Sequence, residues 1–287
     1  MFLLETIQRE SVIRFPFLGD LTLNPPASFS VFGREIYFYG VIIALGFVLG
    51  ILYCARRAPE FGISSDSVYD MMIWMIPLSI LGARLYFVLF QTEYYFAHPA
   101  EILAVWEGGL AIYGGIISGV LVAFVFCRVR HIAFLDMLDL MSFGVLIGQA
   151  LGRWGNFFNR EAFGAETEIF CRMGLTAPDG TTVYVHPTFL YESLWNLLGL
   201  AFLIYFTRSG RRRYCGQVAL MYFFWYGLGR SWIEGLRTDS LYLAHTGIRV
   251  SQLLSILIVC VSGTILLINR NKNTAAAPIS GEQIPED

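Results

Sequence analysis

The sequence predicts an all-α membrane protein, a polytopic bundle of about seven transmembrane helices with its N-terminus outside and its C-terminus in the cytoplasm. Three observations lead to this fold class. Of the 287 residues, 56% are hydrophobic and only 15% are charged, whereas soluble domains carry about 25% charged residues. Apolar runs long enough to cross a bilayer recur along the chain. Arginines collect beside alternate ends of those runs, and this asymmetry orients them.

Seven apolar segments form the predicted bundle, and together they make one integral-membrane catalytic domain over residues 1–270. The segments lie near residues 37–55, 68–90, 110–127, 136–152, 188–207, 216–233 and 250–268. The fourth segment contains Gly144, Gly148 and Gly152, which share one helix face because they are spaced four residues apart. Together with Gly46 and Gly50 in the first segment, they predict close helix packing.

The orientation of the bundle follows from the positions of Lys and Arg. Half of the twenty basic residues stand after the first, third, fifth and seventh segments: Arg56, Arg57, Arg128, Arg130, Arg208, Arg211, Arg212, Arg213, Arg270 and Lys272. The loop of residues 91–109 has none. Since basic loops stay in the cytoplasm, the N-terminus is predicted outside. Residues 271–287 are predicted to be a disordered cytoplasmic tail.

Composition and motifs exclude several function classes. The net charge of −2 gives no sign of a nucleic-acid partner. The five cysteines show no metal-ligand spacing, so neither a metal site nor a disulfide framework is predicted. There is no phosphate-binding loop, dinucleotide fingerprint or metalloprotease motif, and no cofactor is expected. Any chemistry must therefore come from polar residues in or beside the spans.

Charged side chains inside the predicted spans are the first candidates: Arg84, Arg153, Arg230 and Glu234. Each costs about 2.5–3.5 kcal/mol on insertion scales, so each requires an explanation. At 1.5 Å per residue, the three arginines lie about 24, 25 and 21 Å from the cytoplasmic ends of their helices. Structural ion pairs between helices would explain any one of them alone. A common depth in the outer half of the bilayer instead predicts a site for an anionic lipid headgroup.

Other polar residues are predicted on the same side of the membrane. Tyr226, Arg230, Glu234 and Arg237 follow helical spacing and form one face, although such a stripe could also line a helix interface. The segment GRWGNFFNREAFG at 152–164 combines glycines with a dense run of polar groups at a span end, which is more typical of a site than of a structural loop. The starts of three other segments bring further polar side chains to this side: Tyr39, Tyr113, His186, Tyr191 and Glu192.

The segment GRWGNFFNREAFG resembles the signature of the prolipoprotein diacylglyceryl transferases, which are bacterial inner-membrane enzymes. The resemblance covers most of the chain in family order, through Tyr39-Gly40, GARLYFVLF at 82–90, WEGGLAIYGG at 106–115, HPTFLYES at 186–193 and YGLGRSWIEGLRTD at 226–239. It implies transfer of a diacylglyceryl group from phosphatidylglycerol to the lipobox cysteine thiol in a preprolipoprotein signal peptide, with glycerol phosphate released. It also implies a multi-pass protein of the bacterial inner membrane, with its active site toward the outer leaflet.

The resemblance implies functional roles for the positions that match the family's motifs. The similar depth of the arginines and the neighbouring motifs indicate further candidates. The expected catalytic residues are Tyr39, Tyr113, Arg153, Asn156, Glu161, Tyr226 and Arg230. The expected phosphatidylglycerol contacts are Arg84, Arg153, Gly164, His186, Arg230 and Glu234, with a structural role as the alternative for His186. Tyr113 stands where many family members have a histidine, which argues against a mechanism that requires an imidazole there.

The chemistry itself suits these residue types. Arginine cannot act as an acid or base at ordinary pH, but it can hold charge that develops on a leaving phosphate. The thiol of the acceptor must lose its proton, and Tyr39, Tyr113, Tyr226 and Glu161 are all candidates to assist. Two other functions remain open: a transporter or flippase that uses the arginines as an anion site, and a non-catalytic lipid-binding scaffold. A transporter favours internal repeats and midplane polar groups, and the sequence shows neither.

Overall fold

The computed structural model describes residues 11–238, Tyr242 and residues 249–274. Its α-helices are α1 (Phe38–Arg57), α2 (Ser65–Leu89), α3 (Thr92–Ala97), α4 (Ile112–Val129), α5 (Phe134–Asn159), α6 (Thr188–Arg208), α7 (Gln217–Leu236) and α8 (Val250–Ile268). Its strands are β1 (Val12–Phe15), β2 (Leu21–Leu23), β3 (Ser28–Val31), β4 (Arg34–Tyr37), β5 (Met173–Thr176) and β6 (Thr182–Val185). The predicted tail lies outside the described residues from residue 275 onward.

The prediction of a polytopic helical membrane protein is confirmed. In the part of the chain that the structure describes, six helices are long and apolar enough to cross a membrane, namely α1, α2, α4, α5, α6 and α8. The remaining predicted span, the sixth in chain order, is the helix α7, which is 20 residues long. Its mean hydropathy is lower because it includes Gln217, Arg230 and Glu234. The count of seven and the orientation of the termini stay predictions.

The helix that contains the fourth predicted span, α5, continues past residue 152 to Asn159. The polar residues of this segment resemble a loop in sequence, but they are helical as far as Asn159, and their side chains bond to one another. Arg153 Nη1 donates to Asn156 Oδ1 at 3.5 Å, and Asn156 Nδ2 donates to Glu161 Oε1 at 2.9 Å. The helix stops at Arg160, whose φ of 53° is left-handed.

The chain divides into two compact units, and the prediction of one domain over residues 1–270 stays a prediction. One unit contains the chain up to Gly50 and the segment Ser142–Thr274, and the other contains Ile51–Met141. In the first unit, α7 packs against both α6 and α8; in the second, α2 packs against α4.

The predicted close packing of glycines is confirmed where α1 meets α5. A Cβ atom placed on Gly50 would lie 3.0 Å from the carbonyl oxygen of Gly144, and one on Gly46 would lie 3.4 Å from Gly148 Cα. These distances leave little or no room for a side chain, so the two backbones approach as the small-residue spacing predicts.

A pair of tryptophans joins α6 to α7. Trp195 Nε1 donates to the carbonyl oxygen of Trp225 at 3.0 Å, and Trp225 Nε1 donates to that of Trp195 at 2.9 Å. Their rings stack with centroids 4.6 Å apart. Because each indole lies against a glycine of the facing helix, at Gly199 and Gly229, the helices are held at close range. This contact lies one turn from Glu192 on α6 and from Arg230 on α7.

A small antiparallel sheet, which the sequence analysis did not anticipate, joins the ends of the helices. Its strand order is β2-β1-β5-β6. Its core consists of Ile13, Phe15, Phe157, Met173, Leu175, Val185 and Phe189. Since Phe157 belongs to the last turn of α5 and Phe189 to the first turn of α6, the sheet packs against both ends. A separate hairpin of β3 and β4 leads directly into α1.

Candidate active site

Glu192, in the first turns of α6, is the centre of an ion-pair cluster that draws on three helical regions. Its Oε2 lies 2.7 Å from Arg153 Nη2 on α5, and its Oε1 lies 3.3 Å from Arg230 Nη1 on α7. Arg237, which follows α7, places Nη1 3.2 Å from the same Oε1. We call Arg153, Arg230 and Arg237 the arginine cluster.

A second carboxylate, Glu234, contacts the cluster at 2.6 Å from Arg230 Nη2. The side chains of Glu192 and Glu234 are 7% and 2% exposed, so both carboxylates are buried. Three guanidinium groups and two carboxylates therefore meet at this point. Arg153 is the most exposed of the three arginines, at 24%.

The polar run at the end of α5 extends the cluster toward solvent. Arg153 donates to Asn156, and both Asn156 and Asn159 donate to Glu161 Oε1, at 2.9 and 3.3 Å. Glu161 is exposed and carries a formal negative charge at this end of the network. The chain Arg153–Asn156–Glu161 therefore orients a carboxylate beside a guanidinium group.

Gly164 fixes the loop that follows α5. Its N–H donates to the carbonyl oxygen of His186 at 3.0 Å, and its neighbour Ala165 donates to that of Leu236 at 2.7 Å. A Cβ atom at Gly164 would lie 2.7 Å from His186 Cβ and 2.9 Å from Leu236 O. Only glycine fits between these two segments, which lead to Glu192 and to Arg237. Gly164 is thus placed as a positioning residue for the cluster.

Two of the predicted tyrosines belong to the same unit. A Cβ atom at Gly155 would lie 2.9 Å from Cε2 of Tyr39, so the ring of Tyr39 rests on the backbone of α5 two residues after Arg153. Tyr226 lies one turn before Arg230 and lines a small cleft with Glu192, Trp195 and Arg230. Both phenols are therefore held next to elements of the arginine cluster.

His186 lies in the turn before α6, where its Nδ1 is 3.4 Å from the hydroxyl of Tyr191. Burial lowers the pKa of the His186 imidazole below its ordinary value. We therefore expect a neutral ring near pH 7, which can form a hydrogen bond with phosphate but adds no charge.

Arg84 and Tyr113 belong to the other compact unit. Arg84 is 2% exposed, and its guanidinium donates to the backbone oxygens of Glu101, Ile102 and Gly108 at 2.6, 3.0 and 2.7 Å. This geometry favours a role in holding the loop after α3, and the expected contact with phosphatidylglycerol stays a prediction. Tyr113 is in the first turn of α4 and is 46% exposed.

Glu192 and Arg237 were not among the expected catalytic or lipid-binding residues, although both lie in stretches with motif or helical spacing. Arg237 ends the polar stripe on α7, and Glu192 is part of HPTFLYES. The signal for Glu192 was its charge in the first turns of an apolar helix, which needs a cation nearby. Among the described residues, no group of three or more His, Cys, Asp or Glu side chains is placed to hold a metal ion.

Comparison with known proteins matches this chain to one family. The family model described as prolipoprotein diacylglyceryl transferase matches residues 26–268. Three curated relatives share the printed name phosphatidylglycerol–prolipoprotein diacylglyceryl transferase. The one from Streptococcus mutans is 46% identical over 84% of this chain and 93% of its own length. The relative from Finegoldia magna is 44% identical over 85% of this chain and 95% of its own length. The relative from Geobacillus kaustophilus is 41% identical over 86% of this chain and 93% of its own length.

Proposed function

The chain belongs to the prolipoprotein diacylglyceryl transferase family, and we propose that its arginine cluster binds the headgroup phosphate of phosphatidylglycerol. The protein is a transferase that moves the diacylglyceryl group from phosphatidylglycerol to prolipoproteins, the first step of lipoprotein maturation. The observation that carries the proposal is the convergence of three guanidinium groups on Glu192, with Arg153 the most exposed of them. Guanidinium groups bind phosphate oxygens in a planar, bidentate geometry, and the headgroup of phosphatidylglycerol carries an anionic phosphodiester.

The acceptor in this proposal is the thiol of the lipobox cysteine. Its sulfur attacks the glyceryl carbon that carries the phosphate, the carbon–sulfur bond forms, and the carbon–oxygen bond to phosphate breaks. The thiol loses its proton, and glycerol phosphate leaves with one more negative charge than the diester had. Because the charge on phosphate grows during the step, donors that are already aimed at it stabilise the transition state more than the substrate.

The group that takes the thiol proton is left open among four side chains. Tyr39, Tyr226 and Glu161 lie near the arginine cluster in one unit, and Tyr113 lies in the other. A cysteine thiol is a few per cent ionised at pH 7. A positive potential from Arg153 and Arg230 raises that fraction, so the reaction does not require a strong base.

We therefore expect Tyr113→Phe to slow transfer without abolishing it, because only the hydroxyl is lost and the thiol can ionise without it. The loss should be partly recovered as the pH rises toward 9, since the free thiol has a pKa near 8.5. The measurement is the initial rate of transfer to a lipobox peptide between pH 7 and 9. Background activity over this range, with phosphatidylglycerol still bound, would show that the hydroxyl is indispensable.

The experiment that tests the function is direct transfer by the purified protein. The protein is incubated with phosphatidylglycerol and a lipobox peptide, and a mass gain of one diacylglyceryl unit is expected on the peptide cysteine. A peptide with serine at that position is the control and should gain nothing. A transporter, flippase or lipid-binding scaffold would leave the peptide mass unchanged.

We further place the arginine cluster toward the outer leaflet of the bacterial inner membrane, with the C-terminus in the cytoplasm. The distribution of arginines among the loops supports this orientation. Reporter fusions after Arg213 and after Lys272 should both behave as cytoplasmic, and one after Glu101 as extracytoplasmic. A periplasmic signal after Arg213 would overturn both the count of seven spans and the orientation.

A further inference from the structure

The turn between β3 and β4 carries a large apolar side chain, whereas turns exposed to water prefer polar residues and glycine. Phe32, at its tip, is 105% exposed and has a φ of 50°, and the following Gly33 has a φ of 76°. No large apolar side chain among the described residues is more exposed. The left-handed region suits Gly, Asn or Asp, and a bulky aromatic residue is strained there. Phe32 therefore carries both strain and exposure that folding alone does not explain.

The hairpin of β5 and β6, in the same unit, has a turn with the composition typical of water-exposed hairpins. Its tip carries Asp179 and Gly180, and Gly180 takes the positive φ of 87°. Asp179 Oδ1 accepts a hydrogen bond from the Thr181 N–H at 2.8 Å. This turn uses the residues that water-exposed turns prefer. The two hairpins therefore differ in the chemistry of their tips.

The two faces of the β3–β4 hairpin also differ. Phe29 pairs with Ile36 across the strands, and because side chains alternate along a strand, both lie on the same face as the pair Val31 and Arg34. The opposite face carries Ser28, Ser30, Glu35 and Tyr37, and the Ser28 hydroxyl donates to Glu35 Oε2 at 2.5 Å. Phe29 and Ile36 are 39% and 38% exposed, so the apolar face is not covered within the unit.

The base of this hairpin is fixed to the end of a membrane-spanning helix. The ring of Phe38, the first residue of the candidate span, lies between those of Phe29 and Phe158, with centroid distances of 5.1 and 5.0 Å. At about 3.3 Å per residue, the tip lies roughly 17 Å from this first turn. The hairpin is thus firmly attached where the span begins, within reach of the headgroup region.

We propose that the β3–β4 hairpin is an interfacial anchor, which inserts Phe32 and its apolar face at the boundary between lipid headgroups and acyl chains. The bilayer is the occupant that fits, because the hairpin is continuous with a span and its exposed tip is aromatic. Arg34, next to the tip, keeps its charge among the headgroups. The anchor fixes the entry of α1 into the membrane, and with it Tyr39. This proposal does not depend on the arginine cluster.

The test is photochemical cross-linking of the full chain in lipid nanodiscs. Phe32→p-benzoylphenylalanine places a benzophenone at the tip, and mass spectrometry measures the fraction of protein that gains one phospholipid. Asp179→p-benzoylphenylalanine, at the polar tip, is the solvent control. Ile73→p-benzoylphenylalanine, on the candidate span α2, is the membrane control, since Ile73 is 66% exposed. We expect the yield at position 32 to exceed that at 179 at least tenfold and to approach that at 73. A yield at 32 as low as that at 179 would overturn the proposal.

A second measurement avoids the photoreactive residue. Phe32→Asn keeps a residue that tolerates the left-handed conformation but removes the ring, so the turn itself should be retained. Trypsin is added to nanodiscs, and cleavage after Arg34 is followed over time. We expect the bilayer to protect this bond in the unchanged protein and cleavage to be at least tenfold faster in Phe32→Asn. Equal rates would contradict insertion of the tip.

Discussion

Arg153→Lys and Arg230→Lys are each expected to lower the rate of diacylglyceryl transfer about 100-fold, although the charge is kept, because losing one preorganised donor to a developing oxyanion has about that effect. Each guanidinium contacts Glu192 and one further side chain, Asn156 for Arg153 and Glu234 for Arg230, so its orientation is fixed. A lysine is a point charge that cannot contact a carboxylate and a phosphate in the same fixed geometry. The measurement is the initial rate with phosphatidylglycerol and a lipobox peptide, normalised to folded protein.

Arg128→Lys is the matched control for these variants. Arg128 is exposed near the end of α4, with its guanidinium over the ring of Phe124 at 5.3 Å, and is not part of the arginine cluster. We expect its rate to stay within twofold of that of the unchanged protein. If either cluster variant works near the unchanged rate at normal protein level, that arginine does not clamp phosphate.

Glu192→Gln is expected to lower the rate of diacylglyceryl transfer at least as much as the arginine variants, because the Glu192 carboxylate contacts all three arginines. The variant keeps the shape of the side chain and removes the negative charge that all three arginines contact. Breaking a buried ion pair from one side costs about 3–5 kcal/mol. We expect a loss of 100-fold or more in transfer, together with a lower unfolding temperature.

A stability measurement separates loss of positioning from simple misfolding. Glycerol phosphate should raise the unfolding temperature of Glu192→Gln more than that of the unchanged protein, since the anion replaces the missing charge. Glu168→Gln, an exposed position in the same unit, serves as the control and should respond like the unchanged protein. Normal transfer by Glu192→Gln would show that this carboxylate does not organise the site.

Most of the helical fold could be predicted from the sequence because the apolar runs are long and their ends carry arginines. The boundary of α5 could not, since its last two turns are rich in polar residues and glycine and resemble a loop in sequence. The sheet could not be predicted either. It pairs Val12 with Thr176, and such distant pairing leaves no mark on strands of three or four residues.

The candidate site was partly predictable for the same physical reason. A charge in a span must have a partner or a function, and this rule identified Arg153, Arg230 and Glu234. It could not identify the partner, so the central position of Glu192 emerged only from the structure. The predicted depth in the membrane also grouped Arg84 with Arg153 and Arg230. In the structure, the Arg84 guanidinium donates to backbone oxygens of a loop. The predicted depth of a residue does not reveal such contacts.

The most direct test of the central claim is calorimetric titration of the purified protein with glycerol phosphate, the water-soluble product that carries the headgroup phosphate. If the arginine cluster is the phosphate site, the unchanged protein and the control Arg128→Ala should bind with similar Kd. Arg153→Ala and Arg230→Ala should each bind at least tenfold more weakly. Equal affinity in all four proteins would contradict the assignment of the arginine cluster as the headgroup site.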